Sequence, residues 1–424
     1  MSFQSPKGTK DVLPEEQPYW ERVETAARRI ARLYGYERID LPVFEDTGLY
    51  KRGVGAGTDI VEKEMYTFED KGGSSITLRP EFTAGVMRAY LENGLASRPK
   101  PVKVWSIGPV FRYERPQAGR FRQHTQFNVE AIGESDPALD FEIMSVAFHL
   151  YEELGFRDLS FQINSIGCPK CRPAYLEKLS GYFSSRKADL CSDCGQRLVR
   201  NPLRLLDCKN PACQAGIAAA PAISDSLCGE CESHFRTLRS FLDDRKRPVT
   251  VNHRLVRGLD YYTKTVFEVW AEGIGSQNAV CGGGRYDGLA EAIGGPATPG
   301  VGFASGIERI VLTLKQQAAA DQAPSRPRPA VYFAHLGAEA GRQAVALAAE
   351  CRAAGIETVM GFGERSLKAQ MREANTRGAV RVAVIGESEI AARVVQLKSM
   401  EDGGQSSVPW AELTAILKAG EAGA

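Results

Sequence analysis

No stretch of the chain approaches the roughly 20 consecutive apolar residues needed to cross a bilayer. The opening MSFQSPKGTKDVLP also lacks the apolar core of an export signal. These two absences predict a cytoplasmic chain with no membrane partner. Neither sign of charge is in excess: Lys and Arg total 53 against 52 for Asp and Glu, a net charge of +1. That excludes a uniformly basic nucleic-acid coat and leaves room for a local basic groove. No internal repeat and no low-complexity tract is found. With 43% hydrophobic and 25% charged residues, the composition is that of globular protein rather than disordered chain. The 424 residues suffice for two or three domains, each with its own core.

Apolar residues recur at helical spacing over Trp20–Tyr34 and again over Asp140–Leu154. Short β-rich runs lie between them, at Ser75–Leu78 and Val102–Ile107, and β character returns at Thr265–Trp270. Residues 161–247 read as a Cys-rich insertion with polar helical stretches. Ala318–Ala330 (AAADQAPSRPRPA) is proline-rich and poor in apolar residues, which marks a domain boundary. Two domains are therefore expected, 1–324 and 325–424. In the second, strands at Ala330–Ala334, Glu357–Met360 and Arg381–Ile385 alternate with helices near Arg342–Ala354 and Ser366–Gly378. That alternation predicts a small α/β domain with a largely parallel sheet.

The densest chemical signal is FRYERPQAGRFRQHTQFNVE, from Phe111 to Glu130. It reads as a β-hairpin, in which Arg112 and Glu114 can face one site, with Gln126 and Glu130 on the returning strand. A guanidinium fork matches phosphate oxygens and keeps its charge, although a solvated basic loop would also account for the arginines. In LRPEFT, Glu81 and Thr83 could receive an amino group, or Glu81 could simply be the acid at a helix N-terminus. LVRGLDYYTKTVFEVW sets Arg257, Asp260, Tyr261 and Tyr262 around Gly258, beside a strand; paired tyrosines also serve as core packing. Glycines crowd Gly282–Ile310 without forming a P-loop or a dinucleotide fingerprint, and Gly306-Ile-Glu-Arg309 opens a helix that presents another arginine.

In order and wording these segments resemble the histidyl-tRNA synthetases, which are class II aminoacyl-tRNA synthetases. FRYERPQAGRFRQ resembles class II motif 2 and GVGFASGIERI motif 3; LVRGLDYY and GGGRYDGL resemble two signatures of the histidine enzymes. LRPEFT resembles the amino-acid-binding loop and PKGTKDVLP the usual N-terminal opening. Phe82 departs from the family, which often has glycine there, and many members lack most of the cysteines.

The resemblance implies an α+β catalytic domain of class II synthetase type, an antiparallel sheet flanked by helices. It also implies an insertion at about 161–247, here helical and Cys-rich by its own sequence, and a C-terminal α/β anticodon-binding domain. It implies ATP-dependent attachment of L-histidine to tRNA(His) through an adenylate, with Mg²⁺, and a homodimer formed near Tyr34–Gly57. By that likeness Arg112 and Arg257 are catalytic at the α-phosphate, Arg309 meets the γ-phosphate, and Glu114 and Arg120 lie beside the nucleotide. Glu81, Thr83 and Gln126 would hold the amino group, Glu130 and Tyr262 the imidazole, and Tyr286 would close the pocket. The rival is a non-catalytic histidine-binding regulator of ATP phosphoribosyltransferase, a type that loses the catalytic arginines and the anticodon domain. This chain keeps Arg112, Arg257, Arg309 and residues 330–424.

Eight of the ten cysteines form four close pairs: Cys168/Cys171, Cys191/Cys194, Cys208/Cys213 and Cys228/Cys231. Such spacing fits two structural zinc sites of four thiolates each, without deciding which pairs combine; unligated thiols packed in the insertion are the alternative. Cys281 and Cys351 are expected to be small buried residues.

Overall fold

The computed structural model describes residues 3–117, 119–271, 279–317 and 327–421. Most of the expected linker, and Ala118 of the motif 2 turn, lie outside them. The chain divides into two compact units, Met1–Pro324 and Ser325–Ala424.

In the first unit the strands run β1 (Glu37–Arg38), β2 (Phe44–Asp46), β3 (Tyr66–Glu69), β4 (Ser75–Leu78), β5 (Val102–Phe111), β6 (Gln123–Ile132), β7 (Leu159–Ser165), β8 (Val249–Val251), β9 (Thr263–Ala271), β10 (Ala279–Arg285) and β11 (Gly300–Gly306). Eight of them form one sheet in the order β1-β5-β6-β11-β10-β9-β7-β8, and β2-β4-β3 form a small second sheet. The six central strands of the large sheet are antiparallel neighbours, and only the edge strands β1 and β8 pair in parallel.

Alternation along β6 sorts its side chains between two environments. Phe127, Val129 and Ala131 join the core, packed with Phe267, Val269 and Phe303 of neighbouring strands. Against them lie Val23, Ala27 and Ile30 of helix Gln17–Leu33, and Ile143, Ala147 and Tyr151 of helix Pro137–Glu153. Gln126, Asn128 and Glu130 point the other way, so a row of buried polar groups lines the opposite face. Both helices begin three residues before the periodic pattern does. Pro18 fills the first turn of one; Asp136 caps the other, accepting from the Ala138 amide at 2.8 Å.

The insertion is shorter than its expected span of 161–247. Residues 161–165 belong to β7, a sheet strand whose Phe161 and Ile163 are core. The helix Gly229–Asp244 packs on helix Pro137–Glu153 and gives Leu238 and Leu242 to the same core.

In the second unit, β12 (Val331–His335), β13 (Thr358–Met360), β14 (Arg381–Ile385), β15 (Val394–Ser399) and β16 (Gln405–Pro409) stand in the order β13-β12-β14-β15-β16. The expected parallel part is present in β13-β12-β14. The sheet is nonetheless mixed rather than largely parallel, because β15 and β16 add two antiparallel pairings. In Gln405–Pro409 only Val408 is buried, so this edge strand carries little hydrophobic pattern.

Candidate active site

A cavity of about 600 Å³ opens beside the polar face of the sheet, lined among others by Arg112, Glu114, Arg120, Arg257 and Glu268. An adjoining cavity of about 230 Å³ shares those five residues and adds His124, Gln126, Glu308 and Arg309. Four guanidinium groups thus converge from distant parts of the chain. Each is tied to the scaffold while facing the cavity. Arg112 Nε donates to the Pro80 carbonyl (2.9 Å), Arg309 Nε to the Gly119 carbonyl (3.0 Å), Arg120 pairs with Glu114, and Arg257 with Glu268. Arg112 and Glu114 lie just beyond the end of β5 rather than on the strand, yet both still reach the cavity.

Arg257 lies flat against Gly282 of β10, where any Cβ would collide with its guanidinium. Its carboxylate partner is Glu268, while Asp260 accepts instead from Asn201. Burial, together with the positive field of Arg120 and Arg112, holds the Arg309 pKa below the ordinary arginine value. Burial and the charges of Arg112, Arg309 and Arg120 push His124 down to about 3, so this imidazole is neutral at physiological pH. Such a site is built for a polyanion.

Deeper along β6, Glu130 is fully buried. Oε1 accepts from the Thr83 hydroxyl (2.5 Å) and the Asn128 amide (2.9 Å), and Oε2 from the Tyr286 hydroxyl (2.5 Å). Gly302 on β11 gives the carboxylate its room, since a Cβ there would overlap it. Burial pushes the Glu130 carboxyl up to about 7, against the pull of those hydrogen bonds. Tyr262 is buried beside Tyr261, with ring centroids 4.7 Å apart, and burial raises its hydroxyl to about 12. Glu81 accepts from the amides of Thr83 (2.6 Å) and Ala84 (2.9 Å), so it does cap the helix Thr83–Glu92; Tyr261 also donates to it at 3.3 Å. Phe82 is buried in the core cluster that also holds Tyr261, Tyr262 and Tyr286, with the Arg79 guanidinium 4.3 Å over its ring.

Buried polar atoms here that lack a hydrogen-bond partner among the described residues include Gln126 Oε1, Asn128 Oδ1, His124 Nδ1 and Arg257 Nε. Unpaired groups of this kind are costly unless something completes them. His124, Glu268 and Glu308 were not singled out by the sequence, and Tyr261 was noted there beside Gly258 without a role. Glu268 is the one acid in β9 (TKTVFEVWA), and only the strand's facing towards Arg257 could have flagged it.

The cysteines pair across the insertion. Cys168, Cys171, Cys228 and Cys231 form one cluster and Cys191, Cys194, Cys208 and Cys213 the other, with all sulfurs of a cluster within 4.8 Å. Sulfur–sulfur distances of 3.8 Å recur in both. A tetrahedron with metal–sulfur bonds of about 2.3 Å has edges of about 3.8 Å, so either cluster could hold a metal ion. Backbone amides of Cys168 and Cys191 donate to Cys171 and Cys213 sulfurs at 3.3 Å, as suits thiolate ligands. Cys281 and Cys351 are buried and lie outside both clusters.

The histidyl-tRNA synthetase family model matches residues 8–171 and 201–310, and the anticodon-binding-domain model matches residues 330–420. A histidine–tRNA ligase of Dehalococcoides mccartyi is 50% identical over 416 residues, 98% of this chain and 99% of that protein. The solved structure of S. aureus histidyl-tRNA synthetase superposes with a TM-score of 0.81 at 35% identity, covering 98% of this chain and 100% of that one. A Bacillus halodurans ATP phosphoribosyltransferase regulatory subunit/histidyl-tRNA synthetase shares the fold at 21% identity, with a TM-score of 0.62.

Proposed function

The chain belongs to the histidyl-tRNA synthetase family, and on that premise we propose how its cavity serves the reaction. The activity is ATP-dependent attachment of L-histidine to tRNA(His) through a histidyl-adenylate, with release of pyrophosphate and then AMP. The chemical obstacle is the approach of one anion, the histidine carboxylate, to another, the α-phosphate of ATP. One observation carries the assignment of roles: four arginines face a cavity whose lining includes Gln126, which lies on the same face of β6 as Asn128 and the buried Glu130. In this reading Arg112 and Arg257 flank the α-phosphate, Arg309 meets the γ-phosphate, and Arg120 and Glu114 border the adenosine. Gln126, with its unpaired Oε1, joins Glu81 and Thr83 at the substrate amino group. Glu130 and Tyr262 take the two imidazole nitrogens, and Tyr286 closes over them. The regulatory alternative loses its ground, because the arginines it would lack converge on this cavity. Histidine-dependent ATP–pyrophosphate exchange tests the reading.

Mg²⁺ entering with ATP would supply further charge neutralisation at the β- and γ-phosphates, and Glu308 is a carboxylate facing that cavity. The two thiolate clusters would hold structural zinc, since four sulfurs at tetrahedral spacing suit Zn²⁺ best. Metal analysis of protein purified without chelators should give about two zinc ions per chain. Metal-free protein that folds and acts normally would refute the zinc reading.

The C-terminal unit would bind the anticodon stem-loop. Lys368 and Arg372 are exposed one turn apart on helix Leu367–Thr376, and Phe362 is exposed just before it. Arg365 precedes the helix and pairs with Glu373. Deleting residues 325–424 is expected to spare adenylate formation and weaken tRNA charging, as measured by exchange and aminoacylation assays side by side. Equal loss of both would assign the unit a structural role instead.

A homodimer formed near Tyr34–Gly57 would cover the apolar groups exposed there. Phe44 on β2 and Phe68 on β3 share one face of the small sheet, through registers with Leu78 and Ile76 of β4. No helix among the described residues is long and apolar enough to cross a membrane; a cytoplasmic setting suits both the free thiols and the reaction.

A further inference from the structure

Residues adjoining the two cysteine clusters contact one short segment, Arg257–Tyr262, which carries both a phosphate arginine and an imidazole-pocket tyrosine in the reading above. On one side, Arg172 directly follows Cys171. Its guanidinium donates to the carbonyls of Ile166 (3.0 Å), Gly167 (3.1 Å) and Tyr262 (2.6 Å). Backbone bonds from Ile166 to Lys264 and from Lys264 to Gly167, both 2.8 Å, close the same junction.

On the other side, Cys191 begins the helix Ser192–Arg200, and Cys208 and Cys213 end the stretch that follows it. Between these anchors, Asn201 Nδ2 donates to Asp260 Oδ1 at 2.8 Å. Arg204 pairs with Asp59 (3.3 Å) and Asp207 (3.6 Å) and lies so close to Gly258 that a Cβ there would sit 2.7 Å from its Nη1. Helices of nine and eight residues, Ser192–Arg200 and Pro211–Ala218, are marginal by their own stability and rely on the burial of Leu198, Leu205 and Ile217 and on whatever joins their ends. A metal gripping both ends would join them. Residues 172–200, with Arg172, Cys191 and Cys194, fall outside the match to the family model.

We propose that the two metal clusters position opposite halves of this segment. The Cys168/Cys171/Cys228/Cys231 cluster acts through Arg172 on Tyr262, and the Cys191/Cys194/Cys208/Cys213 cluster acts through Asn201 and Arg204 on the turn bearing Arg257. Arg172 and Asn201 line neither cavity and are positioning residues; Arg204, which does line the larger cavity, is left out of the test. The proposal rests on the roles given above to Arg257 and Tyr262 and on metal in the clusters. It predicts a division of effect, with one side felt in histidine binding and the other in the rate of adenylate formation.

The test combines ATP–pyrophosphate exchange at varied histidine with zinc content per chain. Asn201→Ala should keep both metals, lower kcat about tenfold and leave the histidine KM within about twofold; Arg172→Gln should raise that KM about tenfold with kcat little changed. Cys191→Ser should lose one metal and lower kcat as Asn201→Ala does, and the two changes combined should cost no more than either alone. Asn201 is only partly buried, so its variant carries the test if the cysteine variant fails to fold. Overturning results are an unchanged kcat in Asn201→Ala, the same kinetic change in Asn201→Ala and Arg172→Gln, or losses that multiply in the double variant. Loss of metal from Cys191→Ser without loss of rate overturns the bracing alone. Absence of metal from the parent protein overturns the zinc reading instead.

Discussion

Arg257→Ala is expected to slow adenylate formation by about two to three orders of magnitude while changing histidine affinity much less. The guanidinium is anchored by Glu268 on one side and rests on Gly282 on the other, so its position is fixed before substrate arrives. A preorganised donor of this kind is worth most where charge redistributes in the transition state, and its removal costs about 3–4 kcal/mol. Loss of the side chain also leaves the Glu268 carboxylate facing the cavity proposed for the phosphates, with Trp270 Nε1, at 2.7 Å, as its donor among the described residues. That adds repulsion to the lost attraction. Pre-steady-state adenylation at saturating histidine, with histidine binding measured separately, checks this. A stable variant that binds histidine poorly yet adenylates at the parental rate would remove Arg257 from the chemistry.

Glu130→Gln is expected to lower kcat/KM for histidine by orders of magnitude. The substitution keeps volume but exchanges one acceptor oxygen for an NH₂ group in a fully buried site. The Tyr286 hydroxyl, which now donates to Oε2, would meet a donor. Sites built around a substrate hydrogen bond discriminate strongly when that bond is mismatched. The pH dependence supplies a second check. With its carboxyl raised to about 7, Glu130 in the free enzyme loses its negative charge as pH falls through that value. The profile of kcat/KM for histidine should therefore fall below pH about 7 and rise above it. Glu130→Gln should keep only the bend due to the substrate's own imidazole. Near-parental kcat/KM in the variant would dissociate Glu130 from imidazole recognition.

Periodic signals in the sequence located elements that bury one face, and segment likeness picked out arginines that line one cavity. The helices near residues 20–34 and 140–154 were readable because their apolar stripes meet the core side of the sheet. The polar row Gln126–Asn128–Glu130 was readable because it alternates with Phe127 and Val129. Residues whose role depends on a distant partner were not. Arg285 is completely buried, donating to the Asp140 carboxylate at 3.0 Å, yet nothing in either local sequence announces the pair. The cysteine spacings gave pairs, and the combination of pairs waited on the return of helix Gly229–Asp244 to the 168–171 turn. Strand β16 escaped notice for a related reason: an edge strand needs only one buried residue, here Val408.

The central claim is that this cavity activates histidine and no other amino acid. ATP–pyrophosphate exchange measured with each of the twenty amino acids addresses it most directly, because it isolates adenylate formation from tRNA recognition. The account predicts exchange with histidine alone, lowered by about two to three orders of magnitude in Arg257→Ala and strongly reduced by Glu130→Gln. Exchange with a different amino acid, or with none, would contradict it.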